Sequence, residues 1–155
     1  MNIFVLSENV KEAAEWHVDR HVVKMPLETA QMLCTALSLN GNSNVEYKPA
    51  FFKHPCTIWA AATRDNFEWL CKLGVELCSE YTYRYEKEHA SEKVIRSCYE
   101  KYTSVPAGAL TSFAQAMPLE YKSECAIAAY RLYYVKGKSH LASWKKRSKP
   151  LWFKE

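Results

Sequence analysis

The residues from Thr57 to about Glu88 constrain the fold most, because apolar side chains recur through them at helical spacing. As far as Cys78 these side chains cover more than one side, which is typical of a helix buried on most of its circumference. His54-Pro55 precedes the segment, and proline is favoured in the first turn of a helix. We therefore predict a long, buried central helix that is bent or divided at Gly74.

The rest of the chain also has a helical pattern, with only four glycines and six prolines among 155 residues. Pro26 should kink or restart the N-terminal helix, because proline lacks an N–H and clashes with the preceding turn. We predict an all-α single domain, residues 1–155, of about five to six helices, with a short extended N-terminus at 2–6. The other predicted helices run from Ser7 or Asn9 to about Lys24, over 27–39, from Ser91 to about Tyr102, from Ser123 to Gly137 and over 139–147.

The composition, 48% hydrophobic and 25% charged residues, is ordinary for a soluble globular protein. The six cysteines form no Cys-x-x-Cys pair and mostly lie in apolar stretches, so we predict reduced core thiols of a cytosolic protein. The Ile3–Leu6 run is too short for a signal peptide, and no apolar run approaches the ~20 residues of a membrane span. No membrane partner is expected.

Charge and aromatic residues are the unusual part of the composition. From Lys136 to Glu155 there are seven basic side chains and one acid, whereas the rest of the chain carries slightly more acids than bases. Such a tail fits a phosphate-bearing partner, and a merely solubilising tail is the alternative. Aromatics make up 14% of the chain, more than the core needs, so some are expected on a binding or assembly surface.

Four ionisable residues near the N-terminus share one predicted helix face. His17, His21, Lys24 and Glu28 follow one another at i, i+4, i+7 and i+11. This face either lines a pocket or is a solvated surface. The His17/His21 spacing would let two imidazoles share a metal ion, with His54 or Glu28 as a third ligand. Zinc proteases have Glu directly after the first His, where this chain has Val18, so we predict neither a metal site nor a cofactor.

Nucleotide or nucleic-acid binding is the stronger interpretation of these residues. Arginine fits phosphate bidentately and aromatic faces stack on bases, although an arginine beside a tyrosine also forms structural cation–π pairs. No cysteine has an activating context, and the chain has no glycine-rich phosphate loop. The residues expected to contact the ligand are His17, Arg20, His21, Lys24, Glu28, His54, Trp59, Tyr81, Arg84, Gln115, Arg131 and Tyr134.

Several motifs resemble those of a widespread set of small, mostly uncharacterised phage proteins. They are Asn2-Ile-Phe-Val-Leu6, His17-x-Asp19-x-His21-Val-Val-Lys24-Met25, His54-Pro55-Cys56-Thr57-x-Trp59, Glu80-Tyr-Thr-Tyr-Arg84-Tyr85, Phe113-Ala-Gln115-Ala-Met117-Pro118 and Ala129-Tyr-Arg131-x-Tyr133-Tyr134. The resemblance covers nearly the whole chain. It implies a protein of the infected bacterial cytoplasm.

A fainter resemblance is to the phage pyrimidine-dimer DNA glycosylases of the endonuclease V type, through His17, the His54–Glu88 element and the Pro150–Lys154 tail. The resemblance implies a small all-helical scaffold, and those enzymes use an N-terminal amine as nucleophile beside a glutamate of the first helix. In register with His17, Lys24 takes the place of that glutamate. The resemblance thus implies the scaffold without its cleavage carboxylate.

The leading hypothesis is a phage-encoded, non-enzymatic protein that sequesters small nucleotides, such as the cyclic dinucleotide signals of bacterial defence. Some phage protein families of that kind assemble as oligomers with ligands held between subunits, and the excess aromatics agree with a homo-oligomer. One alternative is a DNA glycosylase/AP lyase with Lys24 or the Met1 amine as nucleophile. The other is a structural or protein-inhibitor module.

Overall fold

A computed structural model describes all residues, 1–155, and is all-α, as predicted. Its six helices surround one hydrophobic core of 31 buried residues. The helices are α1 (Val10–Trp16), α2 (Asp19–Leu39), α3 (Pro55–Ala62), α4 (Arg64–Tyr85), α5 (Glu92–Glu100) and α6 (Ala126–Gly137). Single 3₁₀ turns lie at Tyr102–Ser104, Leu119–Tyr121 and Ser139–Leu141. No helix has both the length and the apolar character needed to cross a membrane.

The predicted central helix is divided, but at Thr63 rather than at Gly74. Thr63 has an extended backbone (φ −138°, ψ 153°), and its side chain accepts a hydrogen bond from the N–H of Asn66. A threonine hydroxyl stabilises a helix N-terminus in this way, so α4 begins afresh after α3. Gly74 lies inside α4, where a Cβ atom would be 2.9 Å from Thr29 Cγ2 and 3.1 Å from Ile95. This glycine therefore allows α2 and α5 to approach α4 closely.

The prediction that Pro26 breaks the N-terminal helix is wrong. α2 continues through Pro26. The helix is interrupted instead between α1 and α2, where the backbone of His17 and Val18 is extended. Proline disturbs the hydrogen bonds of the turn that precedes it. The bond that Pro26 cannot form is the one to the Val22 carbonyl, and the adjacent Val23 carbonyl accepts a hydrogen bond from His89 Nε2 at 2.8 Å.

The N-terminal residues 2–6 are extended and buried, as predicted. Asn2 anchors them: its amide donates to the Ala116 carbonyl at 2.7 Å, and its Oδ1 accepts from the Tyr130 hydroxyl at 3.0 Å. These bonds join the start of the chain to the connection before α6 and to α6 itself. The first residues are thus held between elements that are distant in sequence.

Two predicted boundaries near the C-terminus are wrong. The N-cap of α6 is Cys125 and not Ser123, because Ser123 bonds with Gln115 through its own backbone. The predicted helix over 139–147 is a single 3₁₀ turn, after which the chain is irregular. Five of the six cysteines are buried and free, as predicted, whereas Cys125 is free and exposed.

Candidate functional site

A cleft of about 350 Å³ opens where the extended N-terminus crosses α2. It combines amines, a carboxylate, imidazoles and aromatic rings in one concave surface, which is typical of a ligand site. Its lining residues are Met1, Asn2, Phe4, His21, Lys24, Met25, Glu28, His54, Ala116, Tyr133 and Lys138.

The Glu28 carboxylate lies between two amines in this cleft. Its Oε1 is 3.2 Å from the α-amine of Met1, and its Oε2 is 3.5 Å from Lys24 Nζ. The side chains of Met1 and Glu28 are only 7% and 10% exposed, whereas that of Lys24 is 67% exposed. The Met1–Glu28 pair is therefore screened far less by water than the Lys24–Glu28 pair.

Asn2 determines where the α-amine lies. It is nearly buried, and besides its bonds to Ala116 and Tyr130 its Oδ1 accepts the N–H of Ile3 at 2.8 Å. Because both polar atoms of the Asn2 side chain are held by hydrogen bonds, the α-amine of Met1 has little freedom to move. Preorganisation of this kind is what a reacting group needs.

His21 is stacked on Phe4 at the back of the cleft, with ring centroids 4.2 Å apart. The Tyr134 hydroxyl lies 2.7 Å from His21 Nδ1 and accepts the N–H of Val18 at 3.4 Å. The hydroxyl proton is then available to Nδ1, which leaves the imidazole proton on Nε2. Burial lowers the pKa of His21 to about 3, helped by the nearby positive charges of His17, Lys138 and Lys24, so the ring is neutral at physiological pH.

His54 lines the cleft from the start of α3. Its Nδ1 accepts the N–H of Cys56 at 3.1 Å, so the ring caps the helix, and the ring also interacts with the backbone of Met1. The pKa of His54 is lowered by burial and by the adjacent α-amine of Met1. The lowered pKa favours the neutral form of this imidazole, which lies in the cleft with the amine and the carboxylate.

The cleft unites four of the twelve predicted ligand residues, namely His21, Lys24, Glu28 and His54, with the alternative nucleophile Met1. His17 does not line it. That ring is fully buried, with Nδ1 donating to the Ala13 carbonyl at 2.6 Å and with no partner for Nε2. Burial lowers the pKa of His17 to about 4. The His17 and His21 rings lie 6.4 Å apart between their centroids and at 72° to each other.

Arg84 is enclosed and does not support its expected role as a phosphate ligand. Its guanidinium donates to Glu80 Oε2 at 2.7 Å, to Asp19 Oδ1 at 2.9 Å and to the carbonyls of His17 and Glu15 at 2.8 and 2.9 Å. The residue is 0% exposed. Its donors are therefore used to join α4 to the α1–α2 break.

The donors of Arg131 are also used in contacts within the fold, away from the cleft. Its Nε donates to the Leu6 carbonyl at 3.0 Å, and its guanidinium lies 5.0 and 5.4 Å from the rings of Trp16 and Trp152. Arg131 therefore forms structural cation–π contacts, which were the alternative to phosphate binding for such an arginine. Tyr134 serves the cleft indirectly, because it is fully buried behind His21.

The remaining predicted ligand residues lie away from the cleft. Trp59 is buried and donates to the Thr111 carbonyl, Gln115 bonds with the Ser123 backbone, and Tyr81 packs against Tyr85 and His89. Arg20 is exposed. These residues share no surface with Glu28, so they do not form the single ligand site that was expected.

The basic tail is partly internal. Arg147 donates to Glu80 Oε2 and Oε1 at 3.1 and 2.9 Å, and its guanidinium lies 4.1 Å from the centre of the Tyr83 ring. The Lys145 N–H donates to Asp19 Oδ1 at 2.8 Å. The tail thus closes over the end of α4, and Lys138 is the tail cation that reaches the cleft.

Sequence reasoning missed the cleft residues Phe4, Tyr133 and Lys138. In the sequence, Phe4 is one residue of a short apolar run and Lys138 is one of several lysines in the tail, so neither stands out as a ligand residue. The available signal was the order of residues in α6, since Tyr133 lies one position from buried Tyr134 and therefore on a different face.

Comparison of the chain with family models, curated proteins and solved structures yields no match.

Proposed function

We propose that this protein is a DNA glycosylase/AP lyase whose nucleophile is the α-amine of Met1. The observation that carries the proposal is the 3.2 Å contact between that amine and Glu28 inside a partly enclosed cleft. An amine attacks only when it has lost its proton, and a carboxylate at this distance is within reach to accept it. The carboxylate that appeared to be missing beside His17 is supplied one helical turn after Lys24.

The chemistry follows from the amine. On an abasic site, its nitrogen adds to C1′ of the ring-opened sugar, water leaves, and a cationic imine forms. Loss of a proton from C2′ then expels the 3′ phosphate, which keeps the bonding electrons. On an intact nucleotide the same attack displaces the base, which leaves C1′ with the bonding electrons, and cleavage of the C1′–O4′ bond with protonation of O4′ then gives the same imine. Glu28 stabilises the positive charge of the imine in both cases, which is a role that a lysine cannot take.

The other cleft residues fit a DNA backbone. Lys24 and Lys138 supply positive charge at the opening for the phosphates on either side of the sugar. The neutral rings of His21 and His54 line the same cleft and offer hydrogen-bonding groups to a bound nucleotide. Tyr133, whose ring stacks on Tyr121 and lies 5.3 Å from Lys138 Nζ, adds aromatic surface to the wall of the cleft.

Borohydride trapping tests this proposal. The protein carries its tag at the C-terminus, and intact mass verifies that the chain begins at Met1. With borohydride and duplex DNA holding one abasic site, we expect a covalent adduct that peptide mass mapping places on the Met1 amine. A second duplex with a pyrimidine dimer tests base release. An adduct on Lys24, or no adduct at all, contradicts the assignment of Met1.

An N-terminal extension gives a matched comparison. One glycine added before Met1 moves the α-amine away from Glu28 and leaves every side chain unchanged. We expect the adduct to disappear in this variant, while the Lys24→Ala variant keeps it. If the extended protein is trapped equally well, the α-amine is not the nucleophile.

Nucleotide sequestration is the second candidate, and the same cleft favours it. Lys24, Lys138 and Tyr133 provide two cations and one aromatic ring around about 350 Å³, enough for a base with its phosphate. If the protein sequesters nucleotides, at least one linear or cyclic nucleotide of a test panel should raise the melting temperature of the protein and be recovered unaltered. Negative trapping together with such a shift would select this function over the lyase.

A further inference from the structure

Two buried cysteines and a carboxylate meet on the side of the molecule where α2 packs against α5. Cys34 of α2 and Cys98 of α5 have their sulfurs 3.6 Å apart. Glu46, from the connection after α2, brings a carboxylate oxygen to them, so that all three ligand atoms lie within 4.8 Å of one another. None of these residues lines the cleft, and the proposed lyase chemistry does not use them.

We propose that Cys34, Cys98 and Glu46 bind a zinc ion. Two Zn–S bonds of ~2.3 Å at the tetrahedral angle place their sulfurs about 3.8 Å apart, close to the separation observed here. Thiolates select soft ions such as zinc over magnesium or calcium, and a carboxylate is an accepted zinc ligand. Three protein ligands leave a fourth position for water.

The surroundings of the three residues fit an ion. Cys34 and Cys98 are fully buried, while the Glu46 side chain is 43% exposed and opens the site to solvent. The Ser97 hydroxyl donates to Glu46 Oε1 and Lys101 Nζ lies 4.0 Å from the same oxygen, so the carboxylate is oriented from outside. Such outer contacts are usual around metal ligands.

A disulfide is the competing interpretation of the cysteine pair. Its S–S bond is ~2.05 Å, so the sulfurs would have to approach by about 1.5 Å between two packed helices. The observed separation matches the edge of a metal tetrahedron better than it matches a covalent bond. The carboxylate at the same point has no role in a disulfide.

Cobalt substitution tests the site on the full-length protein under reducing conditions. Titration with Co²⁺ should produce a thiolate-to-cobalt charge-transfer band that saturates at one equivalent and is displaced by Zn²⁺. Cys34→Ser and Cys98→Ser should abolish the band, whereas Cys78→Ala, a buried α4 cysteine outside the cluster, should keep it. A band that survives in either serine variant overturns the proposal.

Glu46→Gln tests the third ligand without disturbing the core, because this side chain is partly exposed. We expect a weaker and altered cobalt spectrum, and roughly a tenfold loss of affinity in Ser97→Ala, which removes only an outer contact. If reduced wild-type protein binds no cobalt, or if peptide mapping finds a Cys34–Cys98 disulfide in metal-free protein that excludes zinc, the site is not a metal site.

Discussion

Arg84 Nη1 donates to Asp19 Oδ1 at 2.9 Å and so joins the last turn of α4 to the first turn of α2. The same guanidinium bonds with Glu80 and with the carbonyls of Glu15 and His17 at the C-terminal end of α1. Arg84, which neighbours tyrosines in the sequence, thus holds a helix junction together. This junction determines where α2, and therefore Glu28, enters the cleft.

Removal of the Arg84 charge should destabilise the protein strongly. In Arg84→Met the buried Glu80 loses one of its two arginines and the carbonyls at the junction lose their donor. We expect the free energy of unfolding in urea to fall by about 3–5 kcal/mol. Arg96→Gln is the matched control, because Arg96 forms an exposed i, i+4 pair with Glu92 worth less than about 0.5 kcal/mol. Equal losses in the two variants would contradict a structural role for the junction.

Gly74→Ala should destabilise the protein although alanine is the better helix former. The new Cβ would lie 2.9 Å from Thr29 Cγ2, and overpacking of this kind costs about 1–3 kcal/mol, against a helix-propensity gain of about 1 kcal/mol. Thr29→Ser removes the opposing methyl group. We expect the double variant to recover most of the melting temperature lost by Gly74→Ala, and absence of recovery would place the strain elsewhere.

Stability should rise with pH between about 5 and 6.5. Burial lowers the pKa of His17 to about 4 and that of His21 to about 3, while both are near 6.5 in the unfolded chain. In this window the unfolded chain binds more protons, so each histidine adds about 1.5 kcal/mol of stability as the pH rises, with a plateau above 6.5.

Urea denaturation across this pH range measures the slope. His21→Asn should reduce it by about half, and His140→Asn, at an exposed residue, should leave it unchanged. A flat profile in the wild-type protein would mean that the two buried rings are charged in the folded state.

Glu28→Gln should retain the fold and lose the lyase activity. The amide keeps the shape of the side chain but can neither accept the amine proton nor stabilise an imine cation. We expect the rate of abasic-strand cleavage to fall about 10²–10⁴-fold, with the melting temperature close to that of the wild type. Glu92→Gln, at a partly buried glutamate of α5 outside the cleft, is the control. An unchanged rate in Glu28→Gln would remove the Glu28 carboxylate from the mechanism.

The helical character of the chain was predictable, since apolar periodicity reports which residues can be buried together. The helix boundaries were less so. Thr63 and Pro26 illustrate the reason. A cap is a local hydrogen bond that a hydrophobic pattern does not record, and Pro26 does not end α2, which has buried residues on both sides of it.

The sequence by itself determined the all-α class, the buried extended N-terminus, the buried thiols and one polar face with His21, Lys24 and Glu28. Only the tertiary structure decided which polar residues meet. It brings the Met1 amine to Glu28 and encloses Arg84 with Glu80 and Asp19, because long-range packing, rather than helical spacing, brings together atoms of separate elements.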